Sequence, residues 1–247
     1  MIIDSHTHVE GREDSPWFDP PETIIRLMDE AEIKLGIIMT YGDAPGGEYD
    51  YLEYVAGCVK KYPDRLIGYA RINPWYGKEA EDALEKSLSD YKMKGLKLHP
   101  LGYRMLPEHQ LTVNLVNLAA EFNAPVLLHC GDEEYTYPLQ IERLAKACPR
   151  AKIILGHMGG YFHVKEAIRV AERCPNIYLE TSATPYPLMI KEAVAKIGAE
   201  RVLFASDGPG CDPKLEVYKV ELARLKKAEE KLIFSENILE ILDKVKS

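Results

Sequence analysis

The sequence predicts an α/β protein folded as a (β/α)₈ barrel of the TIM type, and three observations support this fold class. Short apolar runs alternate with amphipathic stretches along the 247-residue chain, and Gly, Pro, Asn or Asp separates them. Eight such pairs fit within the chain, and connections of the βαβ kind join parallel strands. Barrels of this type commonly have this length. We therefore predict one domain over 1–247, in preference to a six-stranded open sheet with a small second domain, because no composition shift marks a boundary.

The strands follow from the apolar runs, several of which are apolar at nearly every position, as expected for strands covered on both faces. The predicted strands are 1–5, 35–40, 66–72, 95–99, 125–130, 152–157, 176–181 and 201–206. Helices are predicted between them, and a last helix is predicted over 235–245. The first eight helices are predicted to begin near Glu22, Tyr49, Lys78, Leu111, Leu139, Val164, Leu188 and Leu215.

Composition and charge exclude several classes of function. The chain has 31 basic and 39 acidic residues, and this excess of acidic residues repels the phosphate backbone of nucleic acids. No run approaches the ~20 apolar residues that span a membrane. The N-terminus lacks the basic and long apolar regions of a secretory signal, and the five cysteines are scattered. We therefore expect a cytoplasmic protein with a small-molecule substrate and no nucleic-acid or membrane partner. Assembly into a homo-oligomer is compatible with these observations.

Five residues with metal-binding or acid–base side chains follow or end predicted strands. His6 and His8 follow the first strand, and in an extended chain residues two apart point to the same side. His129 and His157 end the fifth and sixth strands, and Asp207 follows the eighth. The carboxyl ends of barrel strands meet at one face, where catalytic residues gather. The sequence therefore predicts that these five side chains converge on one mouth of the barrel.

Imidazole nitrogens combined with one carboxylate suit a borderline divalent metal. Zinc is the first expectation, with manganese or iron as alternatives. A catalytic site needs three or four protein ligands and one open position for water or substrate. We predict one metal per chain, bound by His6, His8, His129 and Asp207. His157 is then left near the metal as an acid–base or polarising group.

Three motifs carry a resemblance to a known family: Asp4-Ser5-His6-Thr7-His8, Leu155-Gly156-His157-Met158-Gly159-Gly160 and Ser206-Asp207-Gly208-Pro209. They resemble the metal-dependent amidohydrolase superfamily. More narrowly, they are similar to the amidohydrolase-related branch that includes aminocarboxymuconate-semialdehyde decarboxylase, and the Asn-containing segment 235–242 resembles the closing helix of that branch. The resemblance implies a barrel, one or two divalent metals, and hydrolysis or occasionally decarboxylation. It also implies that the four predicted ligands bind metal and that His157 is catalytic.

Two enzymatic hypotheses follow. A bound metal lowers the pKa of its water to about 7, and Asp207, although a ligand, can accept the water proton. His157 can stabilise an oxyanion or carry a proton. We therefore predict a metal-dependent hydrolase of a small amide, lactone or ester. The alternative is a metal-dependent decarboxylase of an aromatic or unsaturated carboxylate, which an arginine reaching the pocket would favour. A non-enzymatic metal-binding barrel is the least supported hypothesis.

Further residues are candidates for substrate binding. Lys97 and His99 lie two apart on the fourth strand, so if Lys97 faces inward His99 lies at the rim. Some binuclear members of the superfamily carry a carboxylated lysine on this strand, but we expect a single metal here. Arg71 and Arg104 could hold a substrate carboxylate through the bidentate guanidinium, although Arg71 could equally lie outside the barrel. Tyr103 belongs to the loop expected to line the pocket.

Overall fold

Eight parallel strands follow one another around a barrel in sequence order. The computed structural model of the protein describes residues 1–46 and 49–246. The strands are β1 Ile3–Val9, β2 Leu35–Thr40, β3 Leu66–Arg71, β4 Gly95–Leu98, β5 Val126–Leu128, β6 Ile153–Leu155, β7 Ile177–Glu180 and β8 Val202–Leu203. The segment that follows β8 hydrogen-bonds to β1 through Ser5 N to Phe204 O and His8 N to Gly208 O, at 3.1 and 2.7 Å. The predicted (β/α)₈ fold is confirmed.

Helices follow the strands and cover the outside of the barrel. They are α1 Pro21–Glu30, α2 Tyr51–Lys61, α3 Lys78–Ser89, α4 Pro100–Tyr103, α5 Gln110–Glu121, α6 Pro138–Ala147, α7 Val164–Arg173, α8 Pro187–Ile197, α9 Pro213–Leu222, α10 Lys227–Lys231 and α11 Asn237–Asp243. Five of them begin at a proline, whose fixed φ suits the first helical position and whose missing N–H costs nothing there. A π-helical turn, Leu232–Glu236, joins α10 to α11.

The apolar side chains form two layers. The larger layer lies between the strands and the surrounding helices, and the smaller one fills the barrel interior. At one end the interior cluster includes Ile238, Ile241 and Leu242 of α11, which close the barrel there. The polar groups described below lie at the other end, where the carboxyl ends of the strands meet.

Strand β1 contains a bulge that determines where its histidines point. Its pairing with β2 shifts between Asp4, opposite Gly36, and Thr7, opposite Ile38, so β1 has one extra residue there. Ile3 belongs to the interior cluster, whereas Val9, an even number of residues later, belongs to the outer layer. The bulge therefore reverses the alternation of the strand.

The predicted strand bounds differ from the structure mainly at the carboxyl ends. β2 has the predicted bounds, whereas β5, β6 and β8 are shorter than predicted. The first strand was predicted over 1–5 but runs to Val9, so His6 and His8 lie within the strand rather than after it. The strand continues because hydrogen bonds to the segment after β8 satisfy its backbone at His6 O and His8 N.

Candidate metal centre at the mouth of the barrel

Three side chains from the two ends of the chain converge at the carboxyl end of the barrel. His6 Nε2 lies 3.2 Å from His8 Nε2, and Asp207 Oδ1 lies 3.4 and 3.2 Å from these two nitrogens. Metal–ligand bonds of about 2.0–2.1 Å in a tetrahedral site put neighbouring ligand atoms about 3.3 Å apart. The observed spacing and the chemistry of these donors fit a divalent cation.

Asp4 of the first motif holds the two ends of this cluster together. Its Oδ1 accepts hydrogen bonds from His6 N at 3.2 Å and Ser206 N at 2.9 Å. Asp207 N in turn donates to His6 O at 2.8 Å. Asp207 has a φ of 61°, in the left-handed region that non-glycine residues rarely adopt. The backbone therefore fixes the direction of the Asp207 side chain toward β1.

Lys97 faces the barrel interior, and its Nζ lies 2.7 Å from His6 Nε2. The side chain is almost fully buried, and burial lowers the pKa of Lys97 to about 7. Gly95, on the same face of β4, leaves room for the buried ring of Tyr69, because a Cβ there would lie 2.5 Å from the ring. His99 lies at the rim, where its Nδ1 accepts a hydrogen bond from Gly102 N and so caps α4.

His157 and His129 contact each other beside the cluster. His157 Nε2 lies 3.1 Å from His129 Nδ1, and His157 Nδ1 lies 2.8 Å from Ser182 Oγ. His157 has a φ of 62°, again in the left-handed region. The ring centroids of His6 and His157 are 5.2 Å apart. Among the described residues, His129 belongs to neither group of potential ligands whose atoms all lie within 4.8 Å of one another.

Sequence reasoning missed Glu180, the last residue of β7. Its carboxylate is fully buried and contacts His6 Nδ1 at 2.9 Å and His157 N at 2.9 Å. A usable signal was present, since Glu180 ends an apolar run at the same end of the barrel as the histidines. His6, His157 and Glu180 form a second group of potential ligands, all within 4.8 Å of one another.

Burial dominates the electrostatics of these groups. It lowers the pKa of His6 well below 6.5, with a further contribution from Lys97, and it lowers the pKa of His157 to about 4. Burial also lowers the pKa of His8. The imidazoles are therefore neutral at pH 7, which is the form that binds metal. Burial raises the pKa of Asp207, but the positive charge that His157, His6 and His8 acquire on protonation at acid pH outweighs it and holds that pKa well below 3.8.

Arg71 lies inside the barrel, on the side of the sheet that carries the cluster. It pairs in register with Lys97 on the neighbouring strand, and its side chain is 8% exposed. Its Nε donates to Asp43 Oδ1 at 2.7 Å, and its Nη1 donates to Thr40 O at 3.3 Å. The alternative that Arg71 faces outward is therefore wrong.

The two remaining candidates for substrate binding differ in exposure. Tyr103 is buried, and its hydroxyl has no hydrogen-bond partner among the residues that the structure describes. Its backbone carbonyl accepts a hydrogen bond from Trp75 Nε1 at 2.7 Å, which ties the loops after β3 and β4 together. Arg104 is exposed and ends α4 with a φ of 51°.

Within residues 1–46 and 49–246, no helix is long and apolar enough to cross a membrane.

Three solved structures show the same fold. An uncharacterized TIM-barrel protein from Bordetella bronchiseptica is 21% identical, with a TM-score of 0.81 and 98% of each chain covered. A dihydroxybenzoic acid decarboxylase from Polaromonas sp. JS666, with bound manganese and the inhibitor 2-nitroresorcinol, is 18% identical, with a TM-score of 0.77 and coverage of 98% of this chain and 96% of that one. A probable 2-pyrone-4,6-dicarboxylic acid hydrolase from Acinetobacter baumannii, with bound citric acid, is 17% identical, with a TM-score of 0.71 and coverage of 98% and 99%.

Comparison with the curated protein sequences finds no significant match. The model of a protein family described as amidohydrolase matches residues 3–244, which is nearly the whole chain. The resemblance seen in the sequence motifs is thereby confirmed, and the family together with the cluster of histidines and carboxylates supports a divalent metal in an enzyme. The chain belongs to the amidohydrolase family.

Proposed function

We propose that the protein is a metal-dependent decarboxylase of a small aromatic or unsaturated carboxylate. The observation that carries this proposal is Arg71, a buried arginine inside the barrel that pairs in register with Lys97 on the neighbouring strand. A guanidinium has five N–H donors in a fixed plane. Nε donates to Asp43 and Nη1 donates to Thr40 O. These two contacts fix the orientation of the guanidinium and leave its other N–H donors for a substrate carboxylate.

The metal ligands in this proposal are His6, His8 and Asp207, with His129 as the fourth. Zinc is the first candidate because of the histidine-rich donor set, and manganese is the second because the similar decarboxylase from Polaromonas contains it. A bound divalent cation would supply positive charge that polarises the substrate and stabilises negative charge developing on it.

Decarboxylation breaks the bond between the carboxylate carbon and its neighbour, and carbon dioxide leaves without the electron pair. The neighbouring carbon keeps the pair and must take a proton in place of the lost group. His157 is neutral at pH 7 because burial lowers its pKa to about 4, so it can accept a proton from substrate or water and return it to this carbon. Asp207 is ionised, which is the form in which a carboxylate binds metal. Arg71 would orient the carboxylate group.

Hydrolysis of a small amide, lactone or ester is the second candidate, and Asp207 favours it. Its side chain is 27% exposed, more than His6 or His8, and it stays ionised. An ionised carboxylate at the rim of a metal cluster can take the proton of an attacking water and deliver it to the leaving group. The likeness to the probable 2-pyrone-4,6-dicarboxylic acid hydrolase fits this candidate as well.

The two candidates release different products from different substrates. Protein stripped of metal and reloaded with zinc or manganese is incubated with a panel of dihydroxybenzoic and related acids, and carbon dioxide is measured. A parallel panel of amides, esters and lactones is followed by acid release. We expect carbon dioxide from at least one acid, dependent on metal. Acid release from the second panel with no carbon dioxide from the first would contradict decarboxylation and favour hydrolysis.

A substitution at Arg71 tests the observation on which the proposal depends. We expect Arg71→Met to raise KM for the acid about 10–100-fold, because a charged hydrogen bond to the carboxylate is lost. Arg26→Met is the matched control, since Arg26 is exposed on α1 and pairs with Glu30. An unchanged KM in Arg71→Met would remove the support that Arg71 gives to decarboxylation.

A further inference from the structure

Glu180 is a buried carboxylate with four hydrogen-bond donors around it. Its Oε1 accepts from His6 Nδ1, His157 N and Ser182 Oγ, each at 2.9 Å, and its Oε2 accepts from Ser182 N at 2.6 Å. Gly156 leaves room for this arrangement, because a Cβ there would lie 2.9 Å from Leu128 O and 3.4 Å from Glu180 Oε1. One side chain on β7 therefore contacts β1 and the segment after β6.

The contact with His6 determines which ring nitrogen of that residue carries a proton. The backbone N–H groups of His157 and Ser182 donate to the two oxygens of Glu180, so this side chain is an acceptor and His6 Nδ1 donates to it. A neutral imidazole has one N–H, which leaves a lone pair on Nε2. His6 Nε2 is the atom that faces His8 Nε2 and Asp207 Oδ1. Glu180 therefore directs the unprotonated nitrogen of His6 into the metal cluster.

Ser182 extends the same control to His157. The single hydroxyl proton of Ser182 is donated to Glu180 Oε1, so Ser182 Oγ acts as an acceptor toward His157 Nδ1 at 2.8 Å. His157 Nδ1 therefore carries the proton, and its Nε2 has the lone pair. That lone pair points toward His129 Nδ1, 3.1 Å away, on the side of the mouth.

We propose that Glu180 and Ser182 are positioning residues through which one carboxylate sets the tautomers of two histidines, His6 directly and His157 through the serine hydroxyl. The inference rests on the proposed function only in assigning metal binding to His6 Nε2 and proton transfer to His157 Nε2. A carboxylate behind a metal-binding histidine fixes the ring and raises its basicity, and losing such a partner costs about 10–100-fold in metal affinity.

Nitrogen-15 NMR of the histidine rings in the metal-free protein, at about pH 7.5 where neutral imidazoles dominate, tests the inference without any substrate. We expect the wild-type protein to carry the proton on Nδ1 of both His6 and His157. A proton on Nε2 of either ring would overturn the inference. Glu180→Gln preserves the size of the side chain but adds an amide donor, so we expect both tautomer patterns to change and zinc affinity to fall about 10–100-fold.

Ser182→Ala is the matched variant, because it removes only the connection to His157. We expect the tautomer of His157 to change while the tautomer of His6 stays the same. The zinc affinity should stay within about threefold of the wild-type value. Ser182→Thr, which keeps the hydroxyl, should restore the tautomer of His157. Identical effects of Glu180→Gln and Ser182→Ala, or unchanged zinc affinity in Glu180→Gln, would overturn the inference. If Glu180→Gln does not fold, the wild-type spectrum and the comparison of Ser182→Ala with Ser182→Thr test the inference. A protein that passes these tests but decarboxylates nothing contradicts only the proposed function.

Discussion

Lys97 Nζ lies 2.7 Å from His6 Nε2, the nitrogen that also faces His8 and Asp207. The two residues belong to β1 and β4, which are not neighbours in the sheet, so the contact crosses the barrel interior. A protonated Lys97 and a metal ion bound to His6 would be two positive charges close together at a buried site, where they repel strongly. Burial lowers the pKa of Lys97 to about 7, which allows the neutral amine near neutral pH. Metal binding at His6 is therefore coupled to the charge of Lys97.

Replacement of His6 tests the ligand set. We expect His6→Ala to weaken zinc binding by more than about 100-fold and to abolish activity, because a ligand is lost and Glu180 and Lys97 lose their partner. Metal content after dialysis and turnover are measured on the same preparation. The control is His163→Ala, since His163 is about one-third exposed and contacts Glu166. Full metal and full activity in His6→Ala would show that the ligand assignment is wrong.

Replacement of His157 separates proton transfer from metal binding. We expect His157→Asn to keep most of the metal and to lose about 10²–10⁴-fold in turnover, the usual contribution of a general acid–base group. His129→Ala is the comparison variant, since His129 is a predicted ligand in contact with His157. Equal loss of metal in His157→Asn and His129→Ala would show that His157 is a metal ligand. The group of His6, His157 and Glu180 would then be the candidate for a second metal, with Lys97 as the first candidate for a bridge.

Two glycines give opposite predictions for stability. A Cβ at Gly95 would lie 2.5 Å from the buried ring of Tyr69, so we expect Gly95→Ala to lower the free energy of unfolding by about 1–3 kcal/mol. A Cβ at Gly57, in the middle of α2, would meet nothing within 4 Å. Gly57→Ala should therefore raise the free energy of unfolding by about 0.5–1 kcal/mol. Denaturant unfolding measures both, and a neutral Gly95→Ala would contradict the packing described for the interior.

The ion pair between Glu142 of α6 and Arg173 of α7 predicts a pH dependence of stability. Hydrogen bonds from Arg173, with a smaller contribution from Lys146, lower the pKa of Glu142 from 4.5 to about 2. When the pKa of a carboxyl group is lower in the folded than in the unfolded state, the ionised group stabilises the protein at every pH above the unfolded-state pKa. This stabilisation is lost as the pH falls toward the folded-state pKa. It is therefore present above about pH 4.5 and lost toward about pH 2.

The corresponding variant is Glu142→Gln. Arg173 is about half exposed, so water screens the pair, and we expect a loss of only about 1 kcal/mol at pH 7. The difference from wild type should shrink as the pH falls below about 4. Glu240→Gln, which breaks an exposed pair with Lys244, is the control. Unfolding curves that differ equally at pH 7 and at low pH would contradict the account of this pair.

The sequence predicted the arrangement of the site better than the bounds of the strands. The carboxyl ends of parallel strands meet at one face, so the positions of His6, His8 and Asp207 near strand ends were sufficient to predict that they converge. Strand ends are harder to predict, because hydrogen bonds to distant segments decide them. β8 has only two residues, yet Phe204 O beyond it still accepts from Ser5 N.

One feature of the site could not be predicted from alternation or residue type, and a second was missed although its position at a strand end was a signal. The bulge in β1 changes the direction of its side chains through one extra residue, and the amino-acid pattern gives no sign of it. Glu180 was given no role in the sequence analysis. Its partners at His6 and His157 are 174 and 23 residues away, so only the fold reveals that it is buried between two histidines.

The most direct test of the central claim is an anomalous difference map from a crystal of the zinc-loaded protein. We expect one strong peak per chain within bonding distance of His6 Nε2, His8 Nε2 and Asp207 Oδ1, about 2.0–2.2 Å from each, with His129 as the fourth protein ligand. The same map shows whether Lys97 carries a carboxyl group or has moved away from His6. A crystal with zinc bound elsewhere, and no peak among these three side chains, would contradict the account.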